Sequence, residues 1–538
     1  MNAAPVSAQT PASRAGRREW IGLAVLALPS LLIAIDMTVL HLALPALSAD
    51  LTPSSAQLLW ISDIYGFLIA GALITMGTLG DRIGRRRLLM IGAAAFGATS
   101  VLAAFSTSAE MLIVSRALQG VAGATLMPST LSLIRNMFHD SRQRTTALSV
   151  WITSFTVGAA IGPLVGGALL EFFWWGSAFL INVPVMILLL LVGPLLLPES
   201  RDPDAGRLDL TSAALSLASI LATVYGIKQF AEDGRGVLPV AWVLAGLVIG
   251  TLFVRRQRTS PYPLVDLALF RNPIFSAALT TQALAVVAIA GPFFVISQFM
   301  QLVLGLSPLE AGLWALPGTI AGAAGPLLAP VLARRFRPAY VVAGGLVIAA
   351  GAAVLTQVQA DGGLAAVVIG HALLSFGIGP ALTITVDMLI GSAPPTRAGA
   401  ASALSETSIE LGNALGIALL GSVVTAVYRG ALSDAIPAGV PTEAADAARD
   451  TIGGAVGVAG ALPAPLAAQL LETARGAFTD ALQVTAGVSA AVVLGLAVIA
   501  LIVLRQASME HAPPEPAERL RAEGQRLEPQ SGISGSTQ

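Results

Sequence analysis

Long apolar blocks follow one another along the chain, separated by short breaks rich in Arg, Gly, Pro and Asp. Fourteen blocks fall near 20–44, 56–77, 88–106, 110–134, 146–170, 177–197, 210–230, 238–255, 274–303, 309–333, 339–358, 363–388, 398–428 and 478–505. A helix needs about 20 apolar residues to cross the hydrocarbon of a bilayer. Each block is therefore predicted to be one membrane-spanning helix. The first, which runs apolar from Trp20 to Leu47, is too long for the core of a signal peptide and is expected to stay in the membrane.

The polar breaks carry a second, independent signal. If alternate breaks face the same side, the N-terminus, the breaks after even-numbered spans and the tail together hold 24 of the 30 basic residues. The other six are Arg116, Lys228, Arg235, Arg429, Arg449 and Arg475. Loops kept on the cytoplasmic side carry the Arg excess. Both termini are thus expected in the cytoplasm. A missed or invented span would scramble this segregation. Residues 431–476 form the one long outer loop, expected as a solvated helical hairpin. The Pro-, Glu- and Ser-rich stretch 506–538 is expected to be disordered.

Composition narrows the classes. The chain is 538 residues long, 55% hydrophobic and 11% charged, where soluble domains carry about 25% charge. A net charge of −1 says nothing about partners, and no nucleic-acid partner is expected. With no Cys there is no thiol chemistry, disulfide or iron–sulfur cluster. Lys228, the single lysine, sits in Gly-Ile-Lys-Gln, so no Walker-type phosphate loop exists. His41, His139, His371 and His511 are scattered, so neither a metal nor a cofactor is expected, and no cluster suggests an enzyme.

Short motifs carry the chemistry. Gly77-Thr-Leu-Gly80-Asp81-Arg82-Ile-Gly84-Arg85-Arg86-Arg87 follows the second span, and a degraded counterpart, Arg334-Arg335-Phe336-Arg337, follows the tenth. The fifth span holds Gly158, Gly162, Pro163, Gly166 and Gly167; its every-fourth glycines leave one helix face bare for close packing. The fourth holds Ser115-Arg116-Ala-Leu-Gln119-Gly120. These strings resemble, in turn, the signature loop, the antiporter motif and the membrane-arginine motif of the major facilitator superfamily. Asp36-Met-Thr-Val-Leu, Trp60-Ile-Ser-Asp63-Ile-Tyr65, Ser307-Pro-Leu-Glu310-Ala-Gly312 and Ser405-Glu406-Thr-Ser-Ile-Glu410-Leu-Gly412-Asn413 narrow the likeness. They resemble the fourteen-span drug:proton antiporters of the QacA/LfrA type, from about Trp20 to Arg505. The resemblance implies an all-α major facilitator fold with two six-helix bundles, 20–197 and 274–505, and two inserted spans within 208–256. It implies gating roles for Gly77, Gly80, Asp81, Arg82, Gly84 and Arg85. It also implies substrate or proton handling by Asp36, Asp63, Glu406 and Glu410. Some relatives carry a further acidic residue in the tenth span; here that span has only Glu310, at its outer end.

Depth agrees with that assignment. Ionisable groups at membrane depth are costly and usually functional. Asp36 lies about 24 Å along the first helix from Trp20. Asp63 is shallower, and reads equally as an interface carboxylate. Glu406 and Glu410 are one turn apart on one face. Arg116 is either part of the transport machinery or simply the partner of Asp36. Asp387, near the inner end of the twelfth span, is expected to act as a gate or loop anchor. Four carboxylates against Arg116 alone would leave an acidic cavity, attractive to lipophilic cations. Two acids one turn apart in low dielectric cannot both carry charge cheaply, so a shared proton could be exchanged for a cationic drug. Aromatic rings such as Trp60, Tyr65, Phe155, Phe293, Phe294 and Phe299 could stack on such a cation but read better as packing.

The expected function is a proton-coupled multidrug efflux antiporter of the bacterial inner membrane. It would export quaternary ammonium compounds and dyes, with fluoroquinolones as a further class, and work as a monomer within the lipid bilayer. The alternative is a dedicated exporter of one metabolite or antibiotic.

Overall fold

The computed structural model describes residues 15–201, 209–233, 236–260, 263–360, 362–394, 397–433 and 435–510. Of the N-terminal tail only 15–19 are included. Most of the expected disordered tail lies outside the described residues, and 506–510 continue the last helix.

Among the described residues there are fourteen helices long and apolar enough to cross a membrane, and no strand. They are span 1 (Arg17–Leu51), span 2 (Ser55–Ile83), span 3 (Arg85–Ala104), span 4 (Ala109–Met137), span 5 (Ser141–Phe172), span 6 (Ser177–Leu196), span 7 (Leu210–Asp233), span 8 (Val237–Thr259), span 9 (Pro273–Val303), span 10 (Pro308–Arg335), span 11 (Pro338–Gln357), span 12 (Leu364–Gly391), span 13 (Ala398–Leu432) and span 14 (Ala464–Glu510).

The breaks between spans work because side chains cap the helix starts, where four backbone N–H groups lack partners. Ser54 accepts from the backbone N of Gln57, Ser108 from Met111, Asp140 from Gln143, and Ser307 from Glu310. In return the Ser307 N–H donates to Glu310 Oε2 at 2.9 Å, a reciprocal capping box. That contact gives Glu310 a local structural task.

Helix packing repeats with a shift of eight spans. Span 1 lies on span 5 as span 9 lies on span 13. The pairs 2 with 4, 3 with 4 and 3 with 6 recur as 10 with 12, 11 with 12 and 11 with 14. The two six-helix bundles meet through span 2 against span 13 and span 5 against span 10, again a symmetric pair. Spans 7 and 8 pack on each other, and span 7 also lies against spans 2 and 13, along the seam between the bundles.

Contacts across this seam cluster from mid-span to the Arg-poor end. Ser297 Oγ donates to the carbonyl of His41, and Gln301 to that of Leu42. A Cβ on Gly421 would lie 2.4 Å from Leu59, and one on Gly312 would lie 2.3 Å from the carbonyl oxygen of Pro163. Towards the Arg-rich end, by contrast, a Cβ on Gly77 would meet nothing within 4 Å.

The segment 431–476 departs from the expected solvated hairpin. Two short helices, Thr442–Asp450 and Ile452–Ala459, fold down onto the Arg-poor end, and span 14 begins at Ala464, earlier than the expected 478. Ala448, Ile452, Ala455 and Leu470 are buried in the main core. Tyr428 donates to the carbonyl of Ala448, Arg429 pairs with Asp450 at 2.7 Å, and Ser55 donates to the carbonyl of Asp450. Small residues let this cap pack tightly: a Cβ on Gly453 would lie 2.6 Å from Ser48 of span 1. The charged positions of Ala-Ala-Asp-Ala-Ala-Arg suggested solvation, while its alanines supply the buried face.

Candidate functional site

Asp36 is buried at mid-span and fully engaged. Its Oδ2 accepts from Arg116 Nη1 at 2.9 Å, and its Oδ1 accepts from Asn182 Nδ2 at 3.0 Å. The same Arg116 nitrogen reaches Gln119 Oε1 at 2.9 Å, and Gln119 donates to Ser100 Oγ at 3.0 Å. The guanidinium lies 4.3 Å from the centroid of the Tyr65 ring. Spans 1, 2, 3, 4 and 6 each contribute one or more groups, so this network ties the first bundle together. A buried charge persists only when paired and hydrogen-bonded. Among the described residues the Tyr65 hydroxyl and Arg116 Nε have no hydrogen-bond partner, which leaves them as spare polar groups at its edge.

Asp63 is also paired. Lys228 of span 7 places Nζ 2.9 Å from Oδ1 and 2.8 Å from Oδ2 of Asp63, with both side chains buried. The expectation of four carboxylates facing Arg116 alone is therefore corrected. Lys228 sits near the end of span 7, where a lysine would ordinarily extend to water, but its face turns into the seam and Asp63 holds it there.

Glu406 and Glu410 remain. Both are on span 13, one turn apart. Glu410 is 6% exposed and its Oε2 has no hydrogen-bond partner among the described residues, whereas Glu406 is half-buried. Neither forms an ion pair among the described residues. A Cβ on Gly66 of span 2 would lie 3.7 Å from the backbone oxygen of Glu410, so this turn faces the first bundle directly. Gln282 of span 9 fixes the turn by donating to the Ser405 carbonyl at 2.9 Å and to Ser408 Oγ at 2.8 Å.

The structure thus separates the predicted acidic residues into two neutralised ones and one unpaired couple. It adds Asn182, Gln119, Ser100, Tyr65 and Gln282 as buried polar supports. Gln119 belongs to the motif that carries Arg116, one helical turn away, whereas Asn182 and Gln282 are lone polar residues inside apolar blocks, and nothing in their spacing links them to the carboxylates.

The glycines of span 5 serve two neighbours. A Cβ on Gly158 would lie 2.3 Å from the Leu31 oxygen, one on Gly162 1.9 Å from Thr38 Oγ1, and one on Gly166 2.9 Å from Val39, all on span 1. Gly167 faces the other way, 2.8 Å from the Pro308 oxygen of span 10. Pro163 presents its carbonyl oxygen to Gly312 of the same span 10. The bare face therefore bears on span 1, while Pro163 and Gly167 bear on the second bundle.

At the Arg-rich end, the loop after span 2 is bound to the end of span 6. Asp81 pairs with Arg85 across one turn. Arg85 N donates to the Ser200 carbonyl at 2.9 Å, and Arg86 N to Glu199 Oε1 at 3.1 Å. Gly84 has φ +110°, a conformation that only glycine adopts readily. A Cβ on Gly80 would come within 3.0 Å of the Arg85 side chain. Arg82 and Asp387 are exposed, and neither forms an ion pair among the described residues. No group of three or more His, Asp or Glu with metal-binding geometry occurs among the described residues.

Comparison with known proteins agrees with this architecture. The chain is 46% identical over 499 residues to the multidrug efflux pump LfrA of Mycolicibacterium smegmatis, covering 92% of this chain and 99% of that protein. It is 36% identical to the methyl viologen resistance protein SmvA of Salmonella typhimurium, covering 86% and 93%. It is 32% identical to the tetracenomycin C resistance and export protein of Streptomyces glaucescens, covering 94% and 96%. A bacterial homologue of the lysosomal transporter Spinster shares the fold, with a TM-score of 0.65 at 17% identity, over 94% of this chain and 100% of that one. The Major Facilitator Superfamily model matches residues 26–417. With fourteen membrane-length apolar helices among its described residues, a packing pattern that repeats between two bundles and a family match across most of its length, the chain belongs to the Major Facilitator Superfamily.

Proposed function

We propose that the protein is an inner-membrane antiporter that exports lipophilic cations in exchange for protons. The observation that carries this is the Glu406–Glu410 couple: two carboxylates one turn apart, at the seam of the bundles, without a basic partner among the described residues. A buried carboxylate with no partner is most stable when protonated, and a cation entering beside it stabilises the ionised form instead. Proton and cation therefore compete for one place. Asp36 and Asp63, each already neutralised by a base, are the first bundle's fixed charges in this scheme.

Alternating access separates the two half-reactions. With the Arg-rich end assigned to the cytoplasm, the arrangement described is sealed at the outer end by spans 5 and 10, spans 2 and 13 and the 431–476 cap. Glu406, the more exposed of the couple and the nearer to the Arg-rich end, would meet a cytoplasmic substrate first. A relative named for resistance to methyl viologen, an organic dication, supports a cationic substrate class, and one named as a multidrug efflux pump supports export.

Everted vesicles, acidified inside by respiration, test the reading. Adding ethidium or a quaternary ammonium should release part of the pH gradient, and Glu406→Gln/Glu410→Gln should abolish the release. An undiminished release in the double variant would defeat the assignment.

A further inference from the structure

The one lysine of the chain is held in an unusual place. Lys228 is 2% exposed. Its Nζ contacts both oxygens of Asp63 and lies 3.6 Å from the centroid of the Trp60 ring. A carboxylate flanked by an indole face is the chemistry that recognises an organic ammonium group. The surroundings are apolar: Phe67, Val224, Ala414 and Ala418 form a closed cluster where spans 2, 7 and 13 meet, with Trp60 packed against it. Trp60 also lines an apolar groove of about 380 Å³ with Leu221, Tyr225 and Trp242. Trp60 is the residue that the groove and the ion pair share, so its ring separates the Lys228–Asp63 pair from a place for the greasy body of a ligand. A buried ion pair that serves only to hold helices together adds little net stability and has no need of an aromatic face or an adjoining groove.

We propose that Asp63 and Trp60 form a second organic-cation site, and that the Lys228 ammonium is its tethered occupant, which keeps external monovalent cations out. The proposal rests on the reading of the chain as a carrier of lipophilic cations for its ligand class, and on the geometry of spans 2 and 7 for its location. Lys228 is then a specificity-determining residue: removing its charge gives the protein a new place to bind a cation.

Binding of radiolabelled tetraphenylphosphonium to the purified full chain in nanodiscs tests this. The Glu406→Gln/Glu410→Gln background removes the proposed transport site, and Lys228→Met is then added. The expected result is a gain of one saturable equivalent, lost again with Asp63→Asn and weakened about five-fold or more by Trp60→Leu. Lys228→Arg, which keeps the charge, should gain nothing. A folded Lys228→Met variant that binds no additional cation overturns the proposal and leaves the efflux reading untouched. If wild type binds none but the Lys228→Met variant does, the proposal stands and the Glu406–Glu410 assignment fails.

Removing one member of a buried pair can also destabilise the fold. Lys228→Ala prepared in n-butylammonium chloride gives an independent reading. A saturable rise in melting temperature with n-butylammonium but not with n-butanol supports a vacated cation site. An equal response to both, no response, or no folded protein even with the amine overturns it.

Discussion

Asp36 and Arg116 are 80 residues apart in sequence, yet they share a 2.9 Å ion pair that is shielded from solvent on both sides. Removing one partner of such a pair strands the other charge, at a cost of about 3–5 kcal/mol. Arg116→Gln alone, and Asp36→Asn alone, are therefore each expected to lower the melting temperature of the purified protein sharply. Asp36→Asn/Arg116→Gln, which leaves no net charge behind, should recover much of that loss. A double-mutant cycle in thermal melts measures the coupling, and additive losses would show that the pair is not coupled.

Gly84 sits at φ +110°, and a Cβ there would lie 2.5 Å from Glu199 Oε1. Gly84→Ala is expected to cost about 1–3 kcal/mol in backbone strain alone and to detach the loop from the end of span 6. Transport should fall with it. Glu199→Ala removes the steric conflict but not the strain, so the double variant should recover only part of the stability. Full recovery would show that the positive φ is not what requires glycine.

The seal at the Arg-poor end depends on absent side chains. A Cβ on Gly312 would meet the Pro163 oxygen at 2.3 Å, a backbone contact that cannot swing away. Gly312→Ala should push span 10 from span 5 and favour the opposite, outward-open arrangement. The chain has no native cysteine, so spin labels at Phe172→Cys and Leu313→Cys report this separation cleanly. A longer-distance population is expected in Gly312→Ala; an unchanged distribution would rule out this mechanism.

Much of this architecture was legible in the order of the residues, and the reason is physical. Apolar length and Arg segregation are both set by the bilayer, so spans such as Arg85–Ala104 and Val237–Thr259 declare themselves locally. The bare face of Gly158, Gly162 and Gly166 is likewise a local pattern. Pairing across the fold is not local. Along span 7 alone, Lys228 lies near a helix end, where a lysine extends to water; only the position of span 7 against span 2 brings it to Asp63. The 431–476 cap is hidden from a local reading for a related reason. Much of its buried face is alanine and glycine, such as Ala448, Gly453 and Ala455, which look neutral in sequence and act only through the surfaces they meet.

Outside the membrane, Asp209 gives a pH signature. Burial would raise its carboxyl, but hydrogen bonds from the Arg256 and Ser212 side chains and the Ser212 backbone hold it down, from 3.8 to about 2. A carboxylate lowered on folding contributes stability above its unfolded value, and that contribution disappears as pH falls through the folded value. The junction of spans 7 and 8 should therefore be supported fully above pH 3.8 and lose that support towards pH 2. Asp209→Asn should flatten the pH dependence of the melting temperature across this interval. A slope equal to wild type would place the titrating group elsewhere.

If Glu406 and Glu410 each release a proton when a monovalent cation is exported, every cycle moves one net charge inward. A membrane potential, negative inside, then helps at about 2.3 kcal/mol per 100 mV, roughly fifty-fold in the gradient attainable. Ethidium export from proteoliposomes should accelerate when valinomycin and potassium impose that potential. Glu410→Gln leaves one exchangeable proton, so exchange with a monovalent cation becomes electroneutral. Its residual transport should follow the pH gradient and ignore the potential. Wild-type transport indifferent to the potential would mean that the two carboxylates do not both titrate in the cycle. The couple would then act as a single acid, with the second carboxylate shaping the site without carrying a proton.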